Sequence, residues 1–376
     1  MLTLVLAFPR VFGQDSTSSA GSLTISGYAD TYYSFNLNTP PYTTGLAVDN
    51  MGRIFDIKHN QFSLGLVQTK FAYTRGKLNG VIDLTFGPNA VLGNFGNVIG
   101  GGDIFIKQAY LDYNFTDKLK FTVGQFGTHV GYELIDAPLN FNYSLSYLFG
   151  NGPFYHTGAK LSYAFSDKFG LMAGVVNGWD AMYDFNKTKS IIAQAYVAPV
   201  EGWDLYVNYI GGDEKNGLSF PTITGLGDSI KTPSHLVDLT TTYQVSEKFK
   251  IGVNAAYGTG KLVADTTSTT GEFKSASWFG AALYLNYSLS DKFALGLRAE
   301  HFNDADGVRY MGIPGSFNEF TLTGNISLAD GMMLIKPEIR MDMASEDVFI
   351  KYNGKGEATD VTNTQMTIGS AFIFVF

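Results

Sequence analysis

Cysteine is absent from this chain of 376 residues, which removes disulfide frameworks and thiolate chemistry. Charge is scarce: Asp, Glu, Lys and Arg make up 16% of the chain, against roughly 25% in ordinary soluble domains. The balance is acidic, 34 residues against 26 for a formal charge of -8. Basic patches interleaved with aromatics are also missing, which argues against a nucleic-acid partner. After the N-terminal segment no run of 18 apolar residues occurs, so any crossing of a membrane falls to strands. Mean hydropathy is near zero, which fits neither a helical membrane protein nor a disordered chain.

Glycine and aromatics are plentiful, with 43 Gly, 22 Tyr and 30 Phe. The organising feature is alternation. In "MLIKPEIRMDM" (333–343), Lys336, Glu338, Arg340 and Asp342 fall at every second position between Ile335, Pro337, Ile339, Met341 and Met343. Side chains at i and i+2 share one face of a strand, so this strand is charged on one side and apolar on the other. The same two-faced pattern runs through "LVDLTTTYQV" (236–245), "EFTLTGNISL" (319–328) and the segment carrying Arg298 and Glu300.

A tight turn recurs between such segments. "LDYNFTDKLKFTVG" (111–124), "LSYAFSDKFGLMAG" (161–174), "TTYQVSEKFKIGVN" (241–254) and "LYLNYSLSDKFALGLR" (283–298) each join two alternating runs through Ser or Thr, an acid and Lys. Short side chains that bond their own backbone favour such turns. Further short connectors lie at 75–79, 199–203 and 329–332. Longer pieces rich in Gly, Asn, Asp and Pro separate them, at about 37–58, 87–102, 129–152, 179–187, 212–233, 261–273, 304–316 and 345–362. Seven short and eight long connections require sixteen strands, with fourteen or eighteen as neighbouring solutions. Strict segregation of short from long connections is the pattern of an outer-membrane barrel. The fold class predicted is therefore all-β: a closed antiparallel transmembrane β-barrel over 22–376. Tyr28, Tyr32, Tyr33, Phe35, Tyr113, Phe115, Tyr163, Phe165, Tyr284 and Tyr287, near strand ends, are expected in the interfacial girdle.

One strand conflicts with clean alternation. Placing Gln108, Tyr110 and Asp112 inside the barrel points Lys107 at lipid, unless it snorkels from the external end or a bulge turns it inward. Pro337 likewise needs a place where a missing donor is tolerated.

A sixteen-stranded lumen is too wide for wall side chains alone to fill. Asp238, Arg298, Glu300, Glu319, Lys336, Glu338, Arg340 and Asp342 are the candidate pore-lining residues; such mixed charges could pair or line water, and water is expected because the many small interior residues would pack badly as a dry core and buried unpaired charge is expensive. The segment 129–152 is the candidate constriction loop, with Glu133, Asp136, Tyr143 and Tyr147, whose acids would bias passage toward cations; an external loop packed on itself is the alternative.

"LTLVLAFPRVFG" (2–13) is apolar but too short to span as a helix, and reads as a secretory signal without its basic n-region. Residues 1–13 are thus expected to be a signal-peptide remnant and 14–21 a polar lead-in.

"IKQAYLDYNFTDKLKFTVGQFGTHVGYELID", followed by "NFNYSLSYLFGNGPFYHTGAKLSYAF" and "GLMAGVVNGWD", resembles the OmpL-like outer-membrane β-barrel porins, the β-barrel porin-2 family. The resemblance covers about 22–376. The terminal Phe376, with Phe374 and Phe372, matches the insertion signal read by the barrel-assembly machinery. The family implies a porin in the cell outer membrane of a Gram-negative bacterium. It would meet lipid and lipopolysaccharide, pass small hydrophilic solutes or ions by passive diffusion, and associate as a homotrimer.

The rival reading is a plugged barrel acting as a surface scaffold or adhesin through loops such as 129–152 and 212–233. An enzyme is a distant third. His59, His129, His156, His235 and His301 are scattered without a metal-binding spacing, and no cofactor or metal is expected. His156 and Ser144 or Ser146 could meet only by loop folding, and His129 with Asp136 is a thin version of the Asp/His pair that barrel proteases carry at the rim. The glycine-rich 93–103 lacks a following helix and a Lys-Ser/Thr, and reads as a loop. Asp304 and Asp306 lack the spacing of a calcium loop, though they could touch a divalent ion or lipopolysaccharide.

Overall fold

In the computed structural model, the described residues are 21–42, 48–94, 104–184, 186, 188–214, 233–263, 273–309, 312–352 and 359–376. The segment expected to be a signal-peptide remnant, nearly all of the expected lead-in, most of 93–103 and most of 212–233 lie outside them. Strands β1 (Ser22–Asn36), β2 (Gln61–Arg75), β3 (Leu78–Phe86), β4 (Phe105–Asn114), β5 (Leu119–Gly127), β6 (Tyr155–Ser166), β7 (Phe169–Val176) and β8 (Ser190–Val197) make half of the barrel. The other half is β9 (Trp203–Asp213), β10 (Pro233–Gln244), β11 (Phe249–Val263), β12 (Phe273–Ser290), β13 (Phe293–Asp304), β14 (Gly315–Leu328), β15 (Met333–Ala344) and β18 (Thr364–Val375). β16 (Phe349–Tyr352) and β17 (Thr359–Thr362) form a separate hairpin in the last long loop. Two short helices lie in loops: α1 (Pro88–Gly93) and α2 (Tyr147–Asn151).

Each barrel strand pairs antiparallel with its neighbour, and β1 closes the sheet against β18 with Tyr28 opposite Val375 and Asn36 opposite Thr367. Gly27 and Phe376 exchange both backbone hydrogen bonds, at 2.9 and 3.0 Å, so the seam is paired to the last residue. Closure matters because each unpaired backbone group in hydrocarbon costs several kcal/mol. The outer face is the apolar half of the alternation, with Leu161, Val207, Leu283, Phe320, Leu322, Ile339 and Ile368 exposed.

A bulge resolves the conflict at Lys107. The β3–β4 register runs Asp83–Gln108 and then Leu84–Ile106, leaving Lys107 as the extra residue, and its side chain is buried inside. A second bulge between Ala29 and Thr31 in the β1–β2 pairing is held by Asp30, whose carboxylate accepts the Leu66 N–H at 2.7 Å. Pro337 stands on the outer face, and the β14–β15 ladder omits the pairs around it. Opposite is Gly324, where a Cβ would come within 3.2 Å of the proline ring.

The girdle expectation needs correction at three residues. Tyr28, Tyr32 and Tyr284 are buried inside the barrel, at 3%, 2% and 3% exposure. Each belongs to the lumenal set of its strand, Tyr28 and Tyr32 with Asp30, Tyr284 with Ala282 and Asn286. Tyr113, Phe115, Tyr163, Phe165 and Tyr287 are exposed on the outside, and adjacent rings pack edge-on, Tyr113 against Phe115 at 5.1 Å.

The lumen also carries an apolar cluster where the upper ends of β7–β14 meet the loops. Val176, Ile192, Ile210, Leu236, Phe302 and Phe317 are fully buried there, with Trp278, Trp179, Tyr147 and Leu148. On that side the interior is filled rather than wet.

A charge on the outer belt should be costly. Leu322→Lys is expected to lower the unfolding free energy in lipid by roughly 2–4 kcal/mol. Urea titration of the lipid-embedded protein measures this, and an unchanged midpoint would contradict the outward assignment of Leu322.

Candidate functional site

Residues 128–154, between β5 and β6, leave the rim and cross the lumen. The path can be followed by the wall groups that hold it. His129 bonds the Tyr209 carbonyl on β9 at 3.0 Å, and Gly131 donates its N–H to Asp238 on β10 at 3.1 Å. Tyr132 stacks on Tyr284 of β12, ring centres 4.2 Å apart. It fits because residue 252 is glycine: a Cβ there would lie 2.3 Å from the Tyr132 hydroxyl. Asp136 reaches β4 and takes the Lys107 ammonium at 2.5 Å. Lys336 on β15 donates to the Ala137 carbonyl at 2.8 Å and also to that of Asn140.

The second half of the segment lies against β13–β15. Asn142 donates to Thr323 at 2.7 Å. Glu338 accepts the backbone N–H groups of Tyr143 and Ser144, at 2.7 and 3.1 Å. The Tyr143 hydroxyl donates to Asp30 on β1 at 2.5 Å. Burial, then the Asp30 carboxylate, pushes the Tyr143 phenol well above its usual pKa, so it remains a donor. Glu300 accepts the Tyr147 and Leu148 N–H groups, each at 2.7 Å, at the start of α2. Ser146 caps that helix by accepting from the Phe149 N–H at 3.0 Å.

Two guanidinium groups lie between segment and wall. Arg298 is fully buried and donates to Glu133 at 2.5 Å, to the Ser144 carbonyl at 2.6 Å and to Glu319. Arg340 donates to Asp342 at 2.8 Å and to the Leu145 carbonyl at 2.6 Å, and lies over the Tyr147 ring at 5.1 Å. Arg53 comes from the first long loop, pairs with Asp342 at 2.8 Å and with Asp56, and donates to Thr367 at 2.9 Å. Burying this many charges is tolerable only because each acid meets a cation or several N–H donors.

The charges expected to face water therefore do not. Arg298, Glu300, Glu319, Lys336, Arg340, Asp342 and Asp238 are inside the barrel but at most 4% exposed, and Glu338 is half-buried. They bind the inserted segment or one another. Within the segment, Tyr143 and Tyr147 are anchors. Glu133 and Asp136 border open space, but each is neutralised by a cation, Arg298 and Lys107.

Sequence reasoning missed Arg53 and the inward fold of residues 48–60, where Asn50, Asp49 and His59 form a buried network with Asn36 and Gln365. Also missed was the interior set Tyr28, Asp30, Tyr32, Ser34 and Asn36 on one face of β1; a carboxylate between two tyrosines is the signal that could have found it. His156 bonds Thr128 at 3.0 Å and the Gly178 carbonyl at 3.1 Å, and its ring is 5.7 Å from that of His129. No hydrogen bond among the described residues joins His156 to Ser144 or Ser146, or His129 to Asp136. Asp304 is buried and accepts the N–H groups of Val308 and Arg309, at 2.8 and 2.6 Å, so it organises its own loop.

Beside the segment remains a cavity of about 600 Å³. Its wall comes from β2–β10, including Lys70, Gln108, Lys120, Lys160, Ser162 and Gln194. It runs from the tight turn at Thr116–Leu119 to Asn89, Asn94 and Phe154 beneath the long loops.

A family model described as "Putative beta-barrel porin-2, OmpL-like" matches residues 22–376. The chain belongs to this family. It is an outer-membrane porin. Solved structures share the fold at low identity. OmpT of Vibrio cholerae is 14% identical with a TM-score of 0.55, covering 96% of this chain and 99% of that one. The outer-membrane channel DcaP of Acinetobacter baumannii is 12% identical with a TM-score of 0.57, over 97% and 99% of the two chains. An anion-selective porin from Comamonas acidovorans is 11% identical with a TM-score of 0.57, over 95% and 100%. Among curated protein sequences none matches this chain.

Removing the central guanidinium leaves Glu133 without its cation and Glu319 with only Arg340, at 3.7 Å. Arg298→Ala is expected to cost about 3–5 kcal/mol of unfolding free energy, read from the urea midpoint in detergent; a midpoint equal to wild type would show that the clamp contributes nothing.

His129 gives a pH test. Burial lowers its pKa to about 3, and the charges of His156 and Lys160 act in the same direction. The unfolded chain takes up this proton near 6.5 while the folded one does not. Stability is thus complete above 6.5 and lost as pH falls toward about 3. His129→Gln, which keeps a donor for the Tyr209 carbonyl, should flatten this acid slope; parallel slopes for the two proteins would refute the assignment.

Proposed function

We propose that this porin passes small hydrophilic solutes or ions by passive diffusion, along the side of the lumen that residues 128–154 leave open. The observation that carries this reading is the cavity along β2–β10. The segment is pinned to β12–β15 by Arg298, Glu300, Glu338 and Arg340, while the opposite wall keeps open space lined with lysine, glutamine and serine. The constriction role expected of 129–152 is thus proposed for its Glu133–Asp136 edge. The wall charges of β13–β15 would line the pore only indirectly, by fixing how far the segment intrudes. No covalent step and no cofactor enters this mechanism.

The surrounding partners follow from the outer surface. The exposed apolar belt suits lipid, and the outward stripe of Phe372, Phe374 and Phe376 suits recognition by the barrel-assembly machinery. Lipopolysaccharide would meet the long loops, with Asp306 a better contact than the internally engaged Asp304. Three copies associating is supported by the Vibrio cholerae OmpT fold in its trimer form, which has a TM-score of 0.55. The adhesin reading loses support because 129–152, one of the two loops that would display it, is spent inside the lumen.

Planar-bilayer recording tests the channel. Wild-type protein should give discrete conductance steps, and Glu338→Ala, which frees the Tyr143 and Ser144 backbone, should give larger and noisier ones. Silence from folded wild-type protein would overturn the diffusion reading; unchanged steps in the variant would overturn the constriction role.

A further inference from the structure

The open side of the lumen is chemically one-sided. Lys107, Lys160, Lys70 and Lys120 line it from β4, β6, β2 and β5; by their positions in these strands Lys107 is toward the external end, Lys160 and Lys70 are near mid-strand and Lys120 is beside a periplasmic turn. Lys107 is neutralised by Asp136 at 2.5 Å and lies 3.8 Å from Asp83. The other three are differently placed. Lys120 has one loose partner, Asp112 at 3.8 Å. Lys160 and Lys70 have no carboxylate within 4.0 Å among the described residues. The Lys160 ammonium lies 4.2 Å from the centre of the Phe126 ring, a contact that holds the cation without cancelling its charge.

Apart from the loose Lys120–Asp112 contact, the acids of the same wall are engaged elsewhere, including Asp83, which stands opposite Lys70 in the β2–β3 register. Asp83 is fully buried and accepts two bonds from Gln68, each at 2.8 Å. Asp112 accepts from Thr122 at 2.5 Å, and Asp238 from Asn208 at 2.7 Å. An aspartate is short and stays at the sheet, whereas lysine carries its charge on a four-carbon stem toward the middle of the lumen. The acids of the inserted segment, Glu133 and Asp136, are already paired. At the periplasmic rim Asp117 and Lys118 offset each other.

Resting on the diffusion reading above, we infer that the permeant class is small anions, drawn past Lys70, Lys120 and Lys160, of which only Lys120 has a carboxylate partner, and that a loose one, and of which Lys160 is the central one. Rings or rows of Lys and Arg are the device by which pores favour anions and phosphates. A row in a narrow, low-dielectric passage concentrates counter-ions along its length. This reverses the cation bias expected from the loop acids.

Zero-current potentials across a bilayer under a potassium chloride gradient decide the matter. Wild-type channels should favour chloride, and the preference should weaken as ionic strength rises. Replacing Lys70, Lys120 and Lys160 together by Gln should lower the chloride-to-potassium permeability ratio severalfold. Lys160→Gln alone should give part of that fall, and Lys160→Arg should preserve the ratio. Lys292→Gln, at a tight turn away from the cavity, should leave it unchanged. Potassium preference in wild type, or a ratio unmoved by the triple change, would overturn the inference while leaving the channel intact. Absence of steps from folded wild-type protein would overturn the diffusion reading instead. If the triple variant does not fold, the Lys160→Gln and Lys160→Arg pair still separates a charge effect from a structural one.

Discussion

Backbone polarity in hydrocarbon governs this structure. A peptide group in the bilayer core has no water to bond, so every strand must have a neighbour on both sides, and the last must meet the first. The β1–β18 seam, paired through to Gly27 and Phe376, is where that requirement is met. Once the sheet is closed, the two faces of each strand acquire different solvents. Outward residues answer to lipid and inward ones to whatever occupies the lumen, and the exceptions at Lys107 and Pro337 are handled by local irregularity.

Much of this was legible in the sequence because closure and alternation are local signals repeated many times. The recurring Ser/Thr–acid–Lys turns marked one rim, and counting connections gave sixteen strands. What stayed hidden depends on contacts between residues far apart in the chain. Glu338 meets Tyr143 across 195 positions, and no spacing rule relates them. Charges at alternate positions announced an inward face without saying what that face would touch. Arg53 was invisible for the same reason, since a lone arginine in a long loop has no pattern. Lys107 was half visible: its parity was wrong for lipid, which demanded either a bulge or snorkelling, and only the register chose.

The inserted segment turns a uniform tube into two unlike halves. Against β12–β15 it covers acids and guanidinium groups that would otherwise be solvated, and the covered charges stay tolerable because they are mutually paired and the loop supplies backbone N–H and carbonyl groups. Glu300 illustrates this, since its two partners, Tyr147 and Leu148, are the first N–H groups of α2, where a carboxylate is favoured by the helix dipole. The upper lumen on the neighbouring arc is closed by apolar packing around Phe302 and Phe317. A solute is thereby excluded from one side by charge pairing and from another by grease.

That division bears on selectivity in a way composition conceals. The net charge of -8 suggests a channel for cations, but charge acts on a permeant ion only where it is unpaired and faces the path. Here the acids are the short side chains bonded into the wall or clamped by arginine, while the lysines of β2, β5 and β6 extend into the open half. In a passage narrowed by 128–154, the relevant sum runs over ends of side chains rather than over residue types. By that sum the open side is basic, although the chain is acidic.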